Sequence, residues 1–527
     1  MMQAKSRAIW MMVLVVLAGI AIRVFTAFNT CIINPDGMVY IQQAKAIYFG
    51  DWHLLKSCVP FVSNYPFFIA GVYVVYPDWI VAARGVSVFF GSLTLIPLYF
   101  LIRRFVDERT SFLCTLVYAF IPFLVGGSAD LIRDPICWFF LVCGLYFFVS
   151  YLETPGFKRE RLILLLLSYV AFVMAGWARP DAFMFLMFSI LYSFYHSLRP
   201  GNKKQVLIPF TALLILVIIC LVGLAVSNLS FHYYYENASS KLALSLEQYG
   251  QLRAKLGTLA SDFRGNVLGS FLSKARSLVW FIALGVLLSS TIAGFFHPYF
   301  PFFVFGFSGI FKRLREDSKI GYLLTLFILA YGLLFFHVLQ IWYFEHRFLY
   351  LSVFSGCAFA ALGIEKIAGF LQRKLMRKAS LVMIFLVFYV VAFGLGKNVK
   401  KREEDKVVYL QIAEQVSKRE KSSHGFIPIL TGNSSSLKLV SFYVNLDLPT
   451  GYCPFGVVPE IRNNEELIQY TQKNKVKYYI WDEKNWSKTQ VDIHAGSFVE
   501  NFETLGRWYH RDLGSIVLFC RDRRMGN

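Results

Sequence analysis

The residues able to do chemistry in this sequence are a short series of acids and arginines: Asp36, Asp130, Arg133, Asp134, Arg179, Asp181, Glu345, His346 and Arg347. Each falls at the end of a long apolar run or just beyond it. Ionisable groups are expensive to place beside lipid, so such positions are functional candidates by default. The plain alternative is that they are snorkelling helix ends or mutual ion pairs. Two kinds of chemistry are represented. A carboxylate such as Asp36, within Asn34-Pro35-Asp36-Gly37-Met38-Val39-Tyr40, remains a base at neutral pH unless burial raises its pKa. Arginine keeps its charge near lipid and meets phosphate oxygens with two parallel hydrogen bonds, so Arg133, Arg179 and Arg347, with His346 as a further candidate, suit a phosphate. Moving a group off a phosphate requires both a base for the acceptor's proton and positive charge near the departing phosphate. Asp134 can orient the ground around Arg133, bind an acceptor, or hold a divalent cation together with Asp36. Carboxylates beside a phosphate suit Mg²⁺ or Mn²⁺.

These residues need a scaffold, and composition names its class. The chain has 527 residues, is 56% hydrophobic and only 16% charged, with mean hydropathy +0.52. That is too apolar for a soluble enzyme and fits a multi-pass membrane protein. About eleven runs are long enough to span a bilayer, at 8–28, 80–102, 110–127, 134–152, 162–178, 181–196, 206–227, 277–296, 320–340, 348–368 and 379–396. Lys5 and Arg7 before the first run mimic a signal peptide. The run is long and no clean small-residue cleavage site follows, so an uncleaved first span is expected.

The net charge of +20 does not signal nucleic acid. Most Lys and Arg lie in short loops between spans, as the positive-inside rule requires. With a cytoplasmic N-terminus the inner loops carry Arg103, Arg104 and Arg109, then Lys158, Arg159 and Arg161, then Arg199, Lys203 and Lys204, then Lys312, Arg313 and Arg315, then Arg373, Lys374, Arg377 and Lys378. All five loops are basic, and every candidate residue then lands on the outer face. The basic run 397–406 disagrees with this scheme. Segment 297–311 is too short past its proline break to span again and reads as an interfacial or re-entrant helix; were it a span, the C-terminal domain would be cytoplasmic. Two outer loops are long, 29–79 and 228–275. The second combines Tyr233, Tyr234 and Tyr235 with a charged amphipathic tract, which reads equally as a lid or as a solvated surface helix.

The domains expected are therefore a membrane domain over 1–396 and a soluble α/β domain over 397–527, outside the membrane. In the latter, 426–430, 476–481 and 515–520 read as strands, and 435–443 and 464–472 as helices. Five cysteines fall within spans. Cys31 and Cys58 in the first outer loop, and Cys453 and Cys520 in the C-terminal domain, are spaced as two disulfides would be, though chance also gives such spacing.

An acid followed by an aromatic, Asp36 and Tyr40, shortly after the first span resembles the GT-C superfamily of membrane glycosyltransferases, nearest the bacterial protein O-mannosyltransferase and aminoarabinose transferase group. Asn64-Tyr65-Pro66-Phe67 sits where that family often has Lys-Pro-Pro-Leu. Residues 128–135, with Asp130, Arg133 and Asp134, resemble the second outer loop that carries the family's second acid. Ala178-Arg179-Pro180-Asp181 resembles its Arg-Pro-acid turn, and Glu345-His346-Arg347-Phe348 the arginine–aromatic element that opens a late span. The resemblance implies a GT-C-like, mainly α helix bundle with a polar outer domain. It also implies transfer of a sugar from a polyprenyl-phosphate donor to a lipid, glycan or protein acceptor outside the cytoplasmic membrane. Asp36 and Asp134 become catalytic, Arg133, Arg179, Arg347 and His346 donor-phosphate ligands, and Tyr40, Tyr65, Asp130 and Glu345 substrate contacts. Many relatives manage without a metal, so the resemblance implies none with certainty, and Mg²⁺ or Mn²⁺ held by Asp36 and Asp134 stays open. Asn64 stands where aminoarabinose transferases place a lysine near the donor phosphate, so that substrate is not implied. Attack on the far face of the anomeric carbon would invert it. Two alternatives stay open. A polymerase or ligase would use a diphosphate-linked glycan. A lipid-sugar transporter or flippase would show repeated halves and broken midplane helices, and neither is evident.

Overall fold

A computed structural model describes residues 2–521 apart from 59–60, 157–158, 199–202, 228–231, 309, 311–312, 315–316, 375–377, 421–424, 432–436, 450, 454–460 and 487–488, and leaves out the side chains of 2–5, 56–58, 203–204 and 223–246. The expected inner loops at 199–204, 312–315 and 373–378 thus lie partly outside the described residues.

Among the described residues seven helices are long and apolar enough to cross a membrane: Ser6–Phe28, Trp79–Ile102, Asp134–Glu153, Arg159–Ala178, Val267–Gly294, Ser318–Ile341 and Ala379–Asn398. Two bent pairs raise this to nine, Glu108–Phe120 with Pro122–Ala129 (54°) and His346–Ser355 with Cys357–Lys374 (71°). The first bend falls where Pro122 has no N–H to donate. The two remaining expected spans are also helices, Phe183–Ser197 and Leu207–Ser227. The chain is a mainly α, multi-pass membrane protein with a small C-terminal sheet. It divides into two compact units, one of Met1–Thr26, Ser87–Ala129 and Arg133–Val399, the other of Ala27–Val86, Asp130–Ile132 and Lys400–Asn527.

The first unit is a helix bundle tied by buried polar groups. Arg23, 1% exposed in the first span, donates to the carbonyls of Gly19 and Ala119 and to Ser128 Oγ at 3.1–3.2 Å, so one guanidinium bonds both halves of the first bent pair. On Phe183–Ser197, Ser189, Ser193 and Ser197 recur every fourth residue on one face. They meet Tyr322, Tyr169 and Tyr151 from three other helices at 2.6, 2.7 and 3.4 Å. Hydroxyl pairs of this kind hold helices together where lipid offers no partner. The ambiguous segment 297–311 contains the eight-residue helix Phe300–Phe307, about 12 Å long and far short of the ~30 Å hydrocarbon core. It lies backbone to backbone on Cys357–Lys374: a Cβ on Gly363 would stand 1.6 Å from the Phe302 oxygen, and one on Gly306 1.8 Å from that of Phe359.

The second unit joins the first outer loop to the C-terminal domain. The stretch after the first span is helical: Pro35–Phe49, Trp52–Cys58 and Tyr65–Val75. The first of these starts as its sequence dictates. Asn34 is extended (φ −76°, ψ 155°), Pro35 occupies the opening turn, where its missing N–H is not needed, and Asp36 faces the positive helix end. It stops at Gly50, whose φ of 74° is left-handed.

The C-terminal sheet contains β1 (Ile429–Leu430), β2 (Tyr478–Asp482), β3 (Phe502–His510) and β4 (Gly514–Arg521), in the order β1-β2-β4-β3, with β1 and β2 parallel and the other pairs antiparallel. Tyr479, Phe498, Phe502 and Phe519 fill one side of it. β1, β2 and β4 fall within or beside expected strands, and Lys438–Val444 and Asn464–Lys473 match expected helices. β3 and the helix Val407–Arg419 were not expected. Of the four spaced cysteines, Cys31 and Cys520 are free thiols; Cys520 sits inside the sheet opposite Tyr478 and Glu503, while Cys453 follows residues docked on the Asp36 helix. The side chain of Cys58 lies outside the described residues.

Candidate functional site

The sequence-predicted site residues divide between the two units. In the first, the anchor is Arg179. It is extended (φ −140°, ψ 116°) between the end of Arg159–Ala178 and the 3-10 turn Pro180–Ala182, which projects its side chain back across the bundle. Its Nη1 donates to Asp134 Oδ1, in the first turn of Asp134–Glu153, and its Nε to Asp181 Oδ1 at 3.2 Å. The guanidinium also lies 5.3 Å from the ring centre of Phe348 and 5.0 Å from that of Tyr350. Burial opposes its charge, and the two carboxylates outweigh burial, so Arg179 titrates above an ordinary arginine and stays a cation. A fork held by two carboxylates and flanked by two rings has little freedom. Its geometry is fixed before any ligand arrives.

Arg133 is the residue preceding this helix, at φ −76°, ψ −10°. Glu345, the residue before the 3-10 turn His346–Leu349, pairs with Arg347 and accepts from Tyr343 Oη at 2.8 Å. His346 stands near Gly294, on which a Cβ would lie 3.8 Å from His346 Cδ2. Three acids and three arginines therefore gather on the ends of three helical segments. The donor set does not fit a divalent cation at Asp134. Its Oδ1 accepts from Arg179 and it is 2% exposed. Among the described residues no group of three His, Cys, Asp or Glu side chains converges.

In the second unit Asp36 is half-buried in the first turn of Pro35–Phe49. Asn34 Oδ1 accepts from Leu131 N at 3.0 Å, and a Cβ on Gly37 would lie 2.8 Å from Leu131 Cβ. The loop 130–132 thus closes tightly over the helix start, which only glycine at 37 permits. One turn on, Tyr40 meets the edge of Tyr65 at 5.2 Å. Tyr65 is fully buried and gives its hydroxyl to the Ala83 carbonyl at 2.9 Å. Asp130 pairs with Arg402 at 2.9 Å.

That last pair engages one charge of the discordant basic run 397–406. Arg402 bonds Asp130, and its backbone pairs with residues 29–31; Lys401 pairs with Glu404 and Lys406 with Glu403. The sequence marks Arg402 only as part of that run. Arg84, a cation five residues into an expected span and so itself a candidate by position, donates to the Thr30 carbonyl at 2.8 Å. Lys45, the one charge in an otherwise uncharged stretch from Gly37 to Gly50, is fully buried. Burial pulls its pKa down to about 8, against the raising effect of Asp447.

Residues 60–224 match the family described as dolichyl-phosphate-mannose-protein mannosyltransferase. Among curated proteins none matches by sequence. Among solved structures, ArnT from Cupriavidus metallidurans in the apo state is similar with TM-score 0.60 and 12% identity, over 96% of this chain and 97% of that one. The same protein bound to undecaprenyl phosphate gives 0.58 and 10%, over 97% and 98%. The oligosaccharyltransferase of Archaeoglobus fulgidus, complexed with Zn and sulfate, gives 0.60 and 11%, over 96% and 72%.

Proposed function

From the fold of the GT-C membrane glycosyltransferases, which this chain shares, we propose that it transfers a sugar from a polyprenyl-phosphate donor to an acceptor at the outer face of the cytoplasmic membrane, inverting the anomeric carbon. Asp36 is the base. Its carboxylate takes the proton of the acceptor group as that group bonds to C1, while the bond from C1 to the phosphate oxygen breaks and the polyprenyl phosphate leaves with the electron pair. Arg133, Arg179, Arg347 and His346 are the groups for the phosphate, where developing negative charge is stabilised without reorganisation because Arg179 is already locked by Asp134 and Asp181. Tyr40, Asp130, Tyr65 and Glu345 line or support the substrate's surroundings. No step is routed through a metal.

The observation that carries this reading is the position of Asp36: a half-buried acid in the first turn of the first helix after the first span, its flanks fixed by Asn34 and Gly37 against loop 130–132. The likeness over nearly the whole chain to a protein solved with undecaprenyl phosphate supports the donor class. Asp36→Asn should lower transfer by about 10³-fold or more, the range expected for loss of a general base and its orientation, with thermal unfolding unchanged. Unchanged transfer removes the assignment. A second reading, a ligase acting on a diphosphate-linked glycan, draws support from the equal likeness to an oligosaccharyltransferase. Comparing mono- and diphosphate donors separates the two.

A further inference from the structure

The helix Pro35–Phe49 is held by the C-terminal domain at points that apolar packing alone would not fix. Ile33 N, just before the helix, donates to Tyr443 Oη at 3.1 Å. Further along, Gln42 Oε1 accepts from Tyr452 N at 3.0 Å. Lys45 Nζ donates to the carbonyls of Leu446 and Leu448, the latter at 3.0 Å. Gly451 presses on the same helix: a Cβ there would lie 3.2 Å from the Gln42 carbonyl oxygen. The docking residues are themselves anchored. Asn445, 1% exposed, accepts from Ile427 N at 2.8 Å and donates to Ile427 O at 3.0 Å, two residues before β1.

An ammonium buried against backbone carbonyls is a poor device for stability. Desolvation consumes most of what the bonds return, and an apolar side chain of similar length would hold two surfaces together at least as well. What directional bonds add is register. Apolar contacts let a helix slide or turn about its axis, whereas two carbonyls aimed at one ammonium and an N–H aimed at one amide oxygen do not. Asp36 stands on this helix, and its carboxylate direction follows the helix rotation.

We infer that residues 443–449 and 451–452 of the C-terminal domain form a brace that sets the pose of Asp36 for transfer, with Lys45 and Gln42 as positioning residues. The inference rests on the reading of Asp36 as the base. The soluble domain is then part of the catalytic apparatus, not an appended acceptor-binding module.

The test uses the full chain in lipid nanodiscs, with polyprenyl-linked sugars extracted from cells as donor and donor loss followed by mass spectrometry. Lys45→Met and Gln42→Leu should each lower kcat about tenfold to a hundredfold, the scale of an ångström-level misplacement, while KM for the donor changes less than about twofold. Gln42→Glu keeps the accepting oxygen and should restore kcat. Amide exchange should rise in 35–49 of the two disruptive variants and stay unchanged in 134–153 and 159–178, which separates a loosened brace from a misfolded chain. Two results overturn the brace: wild-type kcat in both disruptive variants while Asp36→Asn is inactive, or equal loss in Gln42→Leu and Gln42→Glu. Full activity of Asp36→Asn would instead fault the assignment of the base.

Discussion

At the scale of residues, the buried ion pair at Arg179 is the most demanding feature of the first unit. Asp134 is buried and shares its Oδ1 with a guanidinium that also serves Asp181. Removing one partner strands the other in low dielectric, and that asymmetry makes a prediction. Arg179→Met should destabilise the folded chain by about 3–5 kcal/mol, the cost of an uncompensated buried charge. The double variant Arg179→Met with Asp134→Leu should recover most of that loss, because it removes the stranded carboxylate too. Arg179→Lys should not rescue, since an ammonium neither spans two carboxylates as a fork nor lies flat against Phe348 and Tyr350. Unfolding in mixed micelles with increasing denaturant measures all three. A double variant no more stable than the single one would contradict the pairing. The same geometry revises how the sequence is read. The resemblance makes Arg179 a phosphate ligand and Asp134 catalytic, with mutual ion pairs as the plain alternative. The two are paired, and a spacing of 45 residues does not single out which acid meets which arginine.

At the scale of elements, the spans were legible because hydropathy is a sum over about twenty residues and tolerates local noise. What stayed hidden depends on single atoms. The helix Phe300–Phe307 could be found as apolar and too short, yet its seat on Cys357–Lys374 depends on Gly306 and Gly363 lacking a Cβ. Gly363→Ala should therefore destabilise by about 1–3 kcal/mol through overpacking. Gly332→Ala, in a helix with nothing within 4 Å of the new methyl, should be neutral or stabilise by up to about 1 kcal/mol from helix propensity. Equal effects in the same unfolding assay would mean the close approach is not there. β3 escaped notice for a related reason. Phe502-Glu503-Thr504-Leu505-Gly506-Arg507-Trp508 alternates weakly, and a register shift between Thr504 and Gly506 breaks the period of two. The helix Val407–Arg419 buries Val408, Tyr409, Ile412, Ala413 and Val416, a clear 3.6-residue stripe masked by the charges around it.

At the scale of the whole molecule, the side of the membrane on which the C-terminal domain lies was undecided while it hung on whether 297–311 spans. Counting spans cannot settle a parity when one segment is ambiguous. Contacts can. The C-terminal domain shares a compact unit with residues 27–86 and 130–132, through Arg402 to Asp130, Lys45 to Leu448 and Gln42 to Tyr452. Groups bonded to each other must share a compartment, so the first outer loop, the loop 130–132 and the domain after 400 face one side together. The positive-inside rule predicts the Arg103–Arg104 loop on the other side of the membrane. Cysteines introduced at His53 and Lys418, both exposed, should react with a membrane-impermeant maleimide from the same side of sealed vesicles. A cysteine at Arg103 should react only after the vesicles are opened. The nine native cysteines are controlled by parallel labelling of the parent chain. Labelling of His53 and Lys418 positions from opposite sides would break the second unit apart, and with it the brace on the Asp36 helix.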